Sequence, residues 1–172
     1  MKNDRVILVD SNDREIGTEE KMAAHKTGVL HRAFSAFVIR DDGHMLLQRR
    51  ADSKYHSAGL WSNTCCSHPR PGESVLDAAH RRMMEEMGMT VPLQKAFAFT
   101  YRAELQDELV EHEYDHVLIG RSNTTPEPAA EEVSDWRWEP PHRILSELSR
   151  KPAEYTVWFR IAFSRVLNHF SD

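Results

Sequence analysis

The chain has 172 residues, a length that suits one domain, and 40% of them are hydrophobic, enough for a continuous core. A net charge of −5 argues against a duplex-binding surface, which concentrates lysine and arginine. The two cysteines, Cys65 and Cys66, are adjacent, so they imply no disulfide scaffold and suit a reducing compartment. Met1 to Asp10 holds no signal-peptide-like stretch and no run approaches a membrane span; the expectation is a cytoplasmic protein that engages neither membrane nor nucleic acid.

Val6 to Val9 is a short apolar run ending in the turn cluster Asp10 to Asp13, which predicts a first strand. Thr18 to Lys26 reads as a short helix, with Thr18 as N-cap, Glu19 and Glu20 in its first turn and Gly28 past its end. Ala33 to Ile39 and Met45 to Gln48 flank Asp41-Asp42-Gly43 and read as a β-hairpin. Ala51 to Pro71 lacks periodicity, is rich in Ser, Gly, Pro and His, and reads as a long loop of the kind that carries function.

Ser74 to Met87 is the clearest helix. Ser74 caps it, Asp77 supplies a capping-box-like partner, Val75, Ala78, Ala79 and Met83 line one apolar side, and Gly88 stops it. Leu93 to Tyr101, Leu109 to Ile119 and Val133 to Trp138 predict strands, with Pro126 to Glu132 as a surface loop. Pro140 and Pro141 precede a short helix over His142 to Ser149, and Glu154 to Phe170 reads as a longer amphipathic one. Strands mixed with helices, without regular βαβ alternation, indicate an α+β or three-layer arrangement in one domain over 1–172.

The densest chemistry lies in Trp61-Ser62-Asn63-Thr64-Cys65-Cys66-Ser67-His68-Pro69, where a thiol stands two residues from an imidazole just before the acidic helix. Glu111 and Glu113 sit two apart on a predicted strand and share one face, which suits joint ligation, whereas His112 faces away. With His25, His31 and His68 they make a metal shell of three imidazoles and two carboxylates. Taken singly, His25 reads as a helix-surface residue and His31 as a strand end; it is the coincidence of five donors that carries the inference. Arg49, Arg50 and Lys54 form a basic cluster, which Lys21 could join in the fold, suited to a small anion. Cys65 reads as a packed small hydrophobe.

Around the central helix the sequence resembles the Nudix signature, in which carboxylates on successive turns converge on divalent cations that bridge phosphate oxygens. Glu73, Arg81, Met83, Glu85, Glu86 and Gly88 fall in register, Ser67 occupies the opening glycine, and Arg82 replaces the first Glu of the Arg-Glu pair. That replacement removes a ligand and adds positive charge, so the box implies a fold that binds diphosphate but hydrolyses it poorly, with Glu86 as the remaining magnesium ligand.

More specifically, the chain resembles the type I isopentenyl-diphosphate delta-isomerases, Nudix-fold enzymes with an altered box of this kind. The similarity runs from at least Val6 to Phe163 and rests on motifs that agree in order and spacing. They are Ala23-Ala24-His25, Leu30-His31-Arg32-Ala33-Phe34-Ser35, Gln48-Arg49-Arg50-Ala51, Ser53-Lys54, Gly59-Leu60-Trp61, Cys66-Ser67-His68-Pro69, Tyr101-Arg102-Ala103 and Glu111-His112-Glu113. Tyr55-His56-Ser57-Ala58 departs from the family's aromatic-proline pattern, and Ser67 stands where glycine is more common.

The resemblance implies a Nudix-like α/β/α sandwich with a mixed sheet and added N- and C-terminal helices. It implies interconversion of isopentenyl and dimethylallyl diphosphate in isoprenoid biosynthesis by an enzyme that is a monomer or weak homodimer. A first metal, Mn2+ or Mg2+ with Zn2+ also compatible, would sit on His25, His31, His68, Glu111 and Glu113. Mg2+ bound to the substrate diphosphate would contact Glu86 and the Cys66 backbone, and Lys21, Arg50 and Lys54 would hold the diphosphate. Cys66 and Glu113 would form the catalytic pair, Glu113 being held by the metal and by Tyr101. Protonating an alkene creates a tertiary carbocation-like centre, so two acid-base groups on opposite faces are needed and an aromatic face lowers the cost of the cation. Trp158 matches the family position for that face, with Trp61 second. Two other classes remain: a Nudix hydrolase, which predicts phosphate release, and a non-catalytic zinc-stabilised module, which predicts tolerance of Cys66→Ser.

Overall fold

The computed structural model describes residues 4–171; the ends of the 1–172 domain expectation fall outside them. Nine strands form one mixed sheet: β1 (Arg5–Val9), β2 (Glu15–Glu20), β3 (His31–Ile39), β4 (Met45–Arg50), β5 (Trp61–Ser62), β6 (Cys65–Ser67), β7 (Leu93–Glu104), β8 (Val110–Arg121) and β9 (Val133–Glu139). The helices are α1 (Lys21–Thr27), α2 (Val75–Met87), α3 (Pro141–Arg150) and α4 (Val157–Phe170).

Alternation along the strands builds two cores. Phe34, Ala36 and Val38 of β3, with Leu46 and Leu118, pack under α2 through Ala78, Ala79, Met83 and Met87. The alternate residues Phe37, Ile39, Leu47 and Val117 pack under α4 through Trp158, Phe159, Ala162, Phe163 and Val166. The result is the expected α+β sandwich of helices on both faces of the sheet. Full burial of a side chain such as Met83 or Phe159 contributes roughly 1.5–3 kcal/mol.

The predicted hairpin forms only at its base. β3 and β4 pair at Ile39↔Met45 and then diverge, and the segment read as a loop returns to fill the gap, β6 pairing with β3 and β5 with β4. Thr64 closes the split, its hydroxyl donating to the Leu46 carbonyl at 2.8 Å and accepting from the Val38 amide at 3.0 Å. Asn63 Nδ2 donates to the Ala36 and Cys65 carbonyls. Side chains thus satisfy backbone groups that a continuous ladder would have paired.

The N-terminal helix is shorter than expected. Thr18 lies in β2, paired with Ile7 of β1, and Glu20 is the N-cap, accepting from the Met22 and Ala23 amides. Strand pairing overrides the local capping signal. The second helix follows its signals: Ser74 Oγ accepts from the Asp77 amide at 3.1 Å, and Gly88 ends α2 in a left-handed conformation, φ 63°. The 126–132 segment is more than a surface loop, because the Glu127 and Ala129 amides donate to the Met87 and Glu86 carbonyls and complete the helix end.

A Cβ on Gly88 would lie 2.5 Å from the Glu127 carbonyl oxygen and would impose left-handed strain. Gly88→Ala is therefore expected to destabilise the protein by about 2 kcal/mol or more. Urea unfolding measures this, and a loss under about 0.5 kcal/mol would contradict the close packing of that loop on the helix.

Candidate active site

The register of three adjacent strands sets the centre of the site. Parallel pairing of β3 with β8 places His31 opposite Glu113, and antiparallel pairing of β7 with β8 places Tyr101 opposite the same residue. β6 pairs Cys66 with Ser35 further along β3. Sequence positions 31, 66, 101 and 113 thus meet on one patch of sheet.

His25, His31, His68 and Glu113 each bring a donor atom to within 4.8 Å of the others'. His25 Nδ1 lies 2.7 Å from the Lys21 carbonyl and His31 Nδ1 3.0 Å from the Val29 carbonyl. Each Nδ1 must therefore carry the proton, which leaves the Nε2 lone pair free, as in imidazoles held for metal binding. His25 Nε2 and His68 Nδ1 are buried without a partner, and His31 Nε2 has only the Glu113 carboxylate, at 3.6 Å. Leaving such groups unpaired costs about 1–3 kcal/mol each, and a divalent cation is the species that would satisfy them. The residues present fit a metal. Glu111 enters an overlapping set with His25 and His56.

Charge states follow from burial and contacts. Burial holds His25 down to about 4 and His68 down to about 3, so both are neutral at physiological pH. Burial alone would raise Glu113, but His68 Nε2 at 3.2 Å and His31 Nε2 at 3.6 Å from its Oε1 outweigh it and keep the group ionised. Burial and the charge of Glu113 raise Glu111. The Tyr101 hydroxyl stands 2.8 Å from Glu111 Oε2 and 2.9 Å from Glu113 Oε2, with its one proton to share between them. His112 faces away as expected, its Nδ1 3.0 Å from the Gly28 carbonyl.

Glu111 and Glu113 line a cleft together with Cys66, His68, Trp158 and Glu86 and with Lys21, Arg50, Lys54 and Arg82. The three residues expected to hold diphosphate are thus together. Arg49 is not with them: its Nε donates to the Gly59 carbonyl, and the residue lines a different hollow beside Trp61. Trp61 likewise lies outside the cleft, stacked under Arg137 at 4.2 Å. Trp158 lies inside it, with Nε1 donating to Asn63 Oδ1 at 3.0 Å and the Arg50 guanidinium 5.4 Å from its ring.

Cys65 is fully buried in the α2 core. Cys66 reaches the cleft, 3.9 Å from Arg50 NH1. Burial pushes its thiol up to about 12 despite the pull of Arg50. Its surroundings therefore favour the protonated thiol over the nucleophilic thiolate. Glu86 Oε1 accepts from Arg82 at 2.6 Å and Oε2 from Gln48 at 2.9 Å. Arg82 therefore neutralises the acidic turn it interrupts.

Sequence reasoning missed His56. The side chain is 6% exposed, its Nε2 lies 3.0 Å from Glu111 Oε1, and its ring stacks on that of His25. The one available signal was that Tyr55 to Ala58 departs from the family pattern.

Against known proteins, a model of the NUDIX domain matches residues 29–159. An isopentenyl-diphosphate Delta-isomerase 1 of Aromatoleum aromaticum is 51% identical, over 95% of this chain and 93% of its own length. The chain belongs to the Nudix-fold isopentenyl-diphosphate isomerase family. A Serratia proteamaculans isopentenyl-diphosphate Delta-isomerase is 48% identical, over 91% of this chain and 88% of its own. A crystal structure from Deinococcus radiodurans superposes with a TM-score of 0.72 at 21% identity, covering 86% and 90% of the two chains, and confirms the fold.

Two outcomes follow from the charge states. Alkylation of Cys66 by iodoacetamide, read by mass spectrometry against pH, is expected to be slow at pH 7 and to rise only well above 9; an inflection near 8.5 would show an ordinary exposed thiol. Divalent cation binding needs neutral imidazoles and ionised carboxylates, so acid weakens it. His31, raised above the usual 6.5 because Glu113 outweighs its burial, takes up a proton first as pH falls. Calorimetric titration with Mn2+ at pH 8, 7, 6 and 5 should show affinity falling monotonically, and a flat profile would remove the imidazoles from the ligand set.

Proposed function

We propose that this chain interconverts isopentenyl and dimethylallyl diphosphate by adding a proton at one carbon and removing one from another. The observation that carries the reading is that Cys66 and Glu113, far apart in sequence, line one cleft together with Lys21, Arg50, Lys54 and Arg82. Two acid-base groups beside a cationic anchor are what an alkene bearing a diphosphate requires.

In this reading Lys21, Arg50 and Lys54 bind the diphosphate and fix the prenyl tail against Trp158. Ion pairs already present mark the anchor: Lys54 Nζ lies 2.5 Å from Glu132 Oε2 and Arg82 3.2 Å from Glu132 Oε1, contacts that a diphosphate would compete for. One member of the Cys66–Glu113 pair delivers a proton to the terminal methylene, which leaves a tertiary carbocation-like centre. The other takes a proton from the carbon next to the oxygen-bearing one, restoring a double bond. The two exchange roles in the reverse direction. Tyr101 holds the Glu113 carboxylate and keeps its own proton, because burial first, and the two carboxylates next, raise its hydroxyl well above its usual value.

The Trp158 face stabilises the positive centre by about 0.5–2 kcal/mol. A divalent metal on His25, His31, His68, Glu111 and Glu113, Mn2+ or Mg2+ with Zn2+ also compatible, would fix the carboxylates and supply positive charge. Mg2+ with the substrate diphosphate would meet Glu86 and the Cys66 backbone. The adjacent unpaired Cys65 and Cys66 support a reducing, cytoplasmic setting.

Incubation with isopentenyl diphosphate in heavy water, followed by NMR, is expected to place deuterium in methyl and methylene positions of the five-carbon products. Free phosphate without isomer would favour a hydrolase instead. Cys66→Ala and Glu113→Gln are each expected to lower turnover by about 10²-fold or more with an unchanged circular dichroism spectrum. Near-normal turnover in either variant removes that residue from the mechanism.

A further inference from the structure

The loop between β4 and β5 carries an imidazole that the reading above does not use. His56 Nε2 lies 3.0 Å from Glu111 Oε1, and the other oxygen of that carboxylate faces the Tyr101 hydroxyl at 2.8 Å. On the far side of the ring, Nδ1 lies 3.1 Å from Ser57 Oγ. Both contacts are satisfied by one arrangement: the Ser57 hydroxyl donates to Nδ1, and the Nε2 proton goes to Glu111.

The loop is built to hold that ring. The Arg50 guanidinium donates to the His56 carbonyl at 3.2 Å, and the Gly59 amide donates back to the Arg50 carbonyl at 3.0 Å. Tyr55 meets the ring edge-on with centroids 4.4 Å apart, and Trp158 meets it edge-on at 6.0 Å. Ser57 sits at φ 52°, a left-handed backbone that side-chain-bearing residues adopt at a cost of roughly 1–2 kcal/mol, so the surrounding contacts must enforce it.

His56 could instead be a ligand, since it shares a donor set with His25 and Glu111. His25 also belongs to the set with His31, His68 and Glu113, and its free Nε2 has a single lone pair, enough for one cation only. The four-residue set is the larger, and His56 is left to act on it through Glu111, whose Oε2 shares the Tyr101 hydroxyl with Glu113 of that set.

We propose that His56 is a positioning residue of the cation centre: its Nε2 proton holds the Glu111 carboxylate, which shares the Tyr101 hydroxyl with Glu113 of the donor cluster, and so ties the 51–60 loop to metal occupancy. The proposal rests on the metal reading of the cluster. It makes the segment that departs from the family pattern a support for the centre, a place where the departure adds a hydrogen bond.

The test uses Mn2+ alone, with binding read by calorimetry and by electron paramagnetic resonance, on wild type, His56→Ala and His56→Gln. Glutamine keeps an N–H donor that can reach a carboxylate but has no imidazole lone pair to give a metal. His56→Ala is expected to weaken Mn2+ binding about tenfold or more, and His56→Gln to recover to within about threefold of wild type. Hydrogen exchange across residues 55–59 should slow on Mn2+ addition in wild type and His56→Gln but not in His56→Ala. Alanine binding within about threefold of wild type overturns the proposal, and so does a glutamine variant as weak as alanine. If wild type takes up no Mn2+ at all, the metal reading of the cluster fails first, which separates the two failures.

Discussion

Two carboxylates on one face of a buried strand repel each other, and the architecture of this protein around Glu111 and Glu113 answers that repulsion. Both are almost fully buried, where like charges are screened least. The Tyr101 hydroxyl offers its proton to the pair, His56 faces one member, and His31 and His68 face the other. The donors come from β3, β7, the loop after β4 and the segment after β6, so the carboxylate pair joins elements distant in sequence. Even so, His25 Nε2 and His68 Nδ1 of this cluster remain without partners. A fold that keeps lone pairs buried and unpaired gives up stability that a bound cation would restore, which couples occupancy of the site to stability of the chain.

The second constraint is the divergence of β3 and β4. A continuous hairpin would have put plain sheet where Cys66 stands. The 61–67 segment returns into the gap instead, and it holds there because Thr64 and Asn63 satisfy the backbone groups that the divergence exposes. This insertion separates the fates of two adjacent cysteines, since alternation sends Cys65 into the α2 core and Cys66 into the cleft.

What was legible in the sequence was what local chemistry determines. α2 announced itself through Ser74, its apolar spacing and Gly88, and the faces of Glu111, His112 and Glu113 followed from the two-residue period of a strand. Long-range pairing was not legible. Thr18 looks like a helix cap until β1 is there to pair with it, and Trp61 to Ser67 has no strand period because its two pieces are too short to show one. Arg49 and Arg50 look alike in sequence, yet strand alternation carries one to the cleft and the other away. The cluster of His25, His31, His68 and Glu113 was foreseeable because the family motifs bring those residues forward, whereas His56 lies where the chain leaves that pattern and only the folded loop shows its reach.

The altered Nudix box keeps its carboxylates engaged with arginines. Just before α2, Glu73 is tied to Arg81 of the helix, and on the helix Arg82 contacts both Glu85 and Glu86. An acidic face bound up by guanidinium groups is a weak collector of the several cations that assist attack by water on phosphorus, and it stays suited to anchoring an anion. In the same cleft, Cys66 keeps its proton although Arg50 stands 3.9 Å away, because burial outweighs the nearby charge. A hydrolase that attacked through sulfur would need the opposite balance, a thiolate favoured by its surroundings. In the proposed reaction, a protonated thiol and an ionised carboxylate lining one cleft would move protons at carbon while the phosphate ester stays intact.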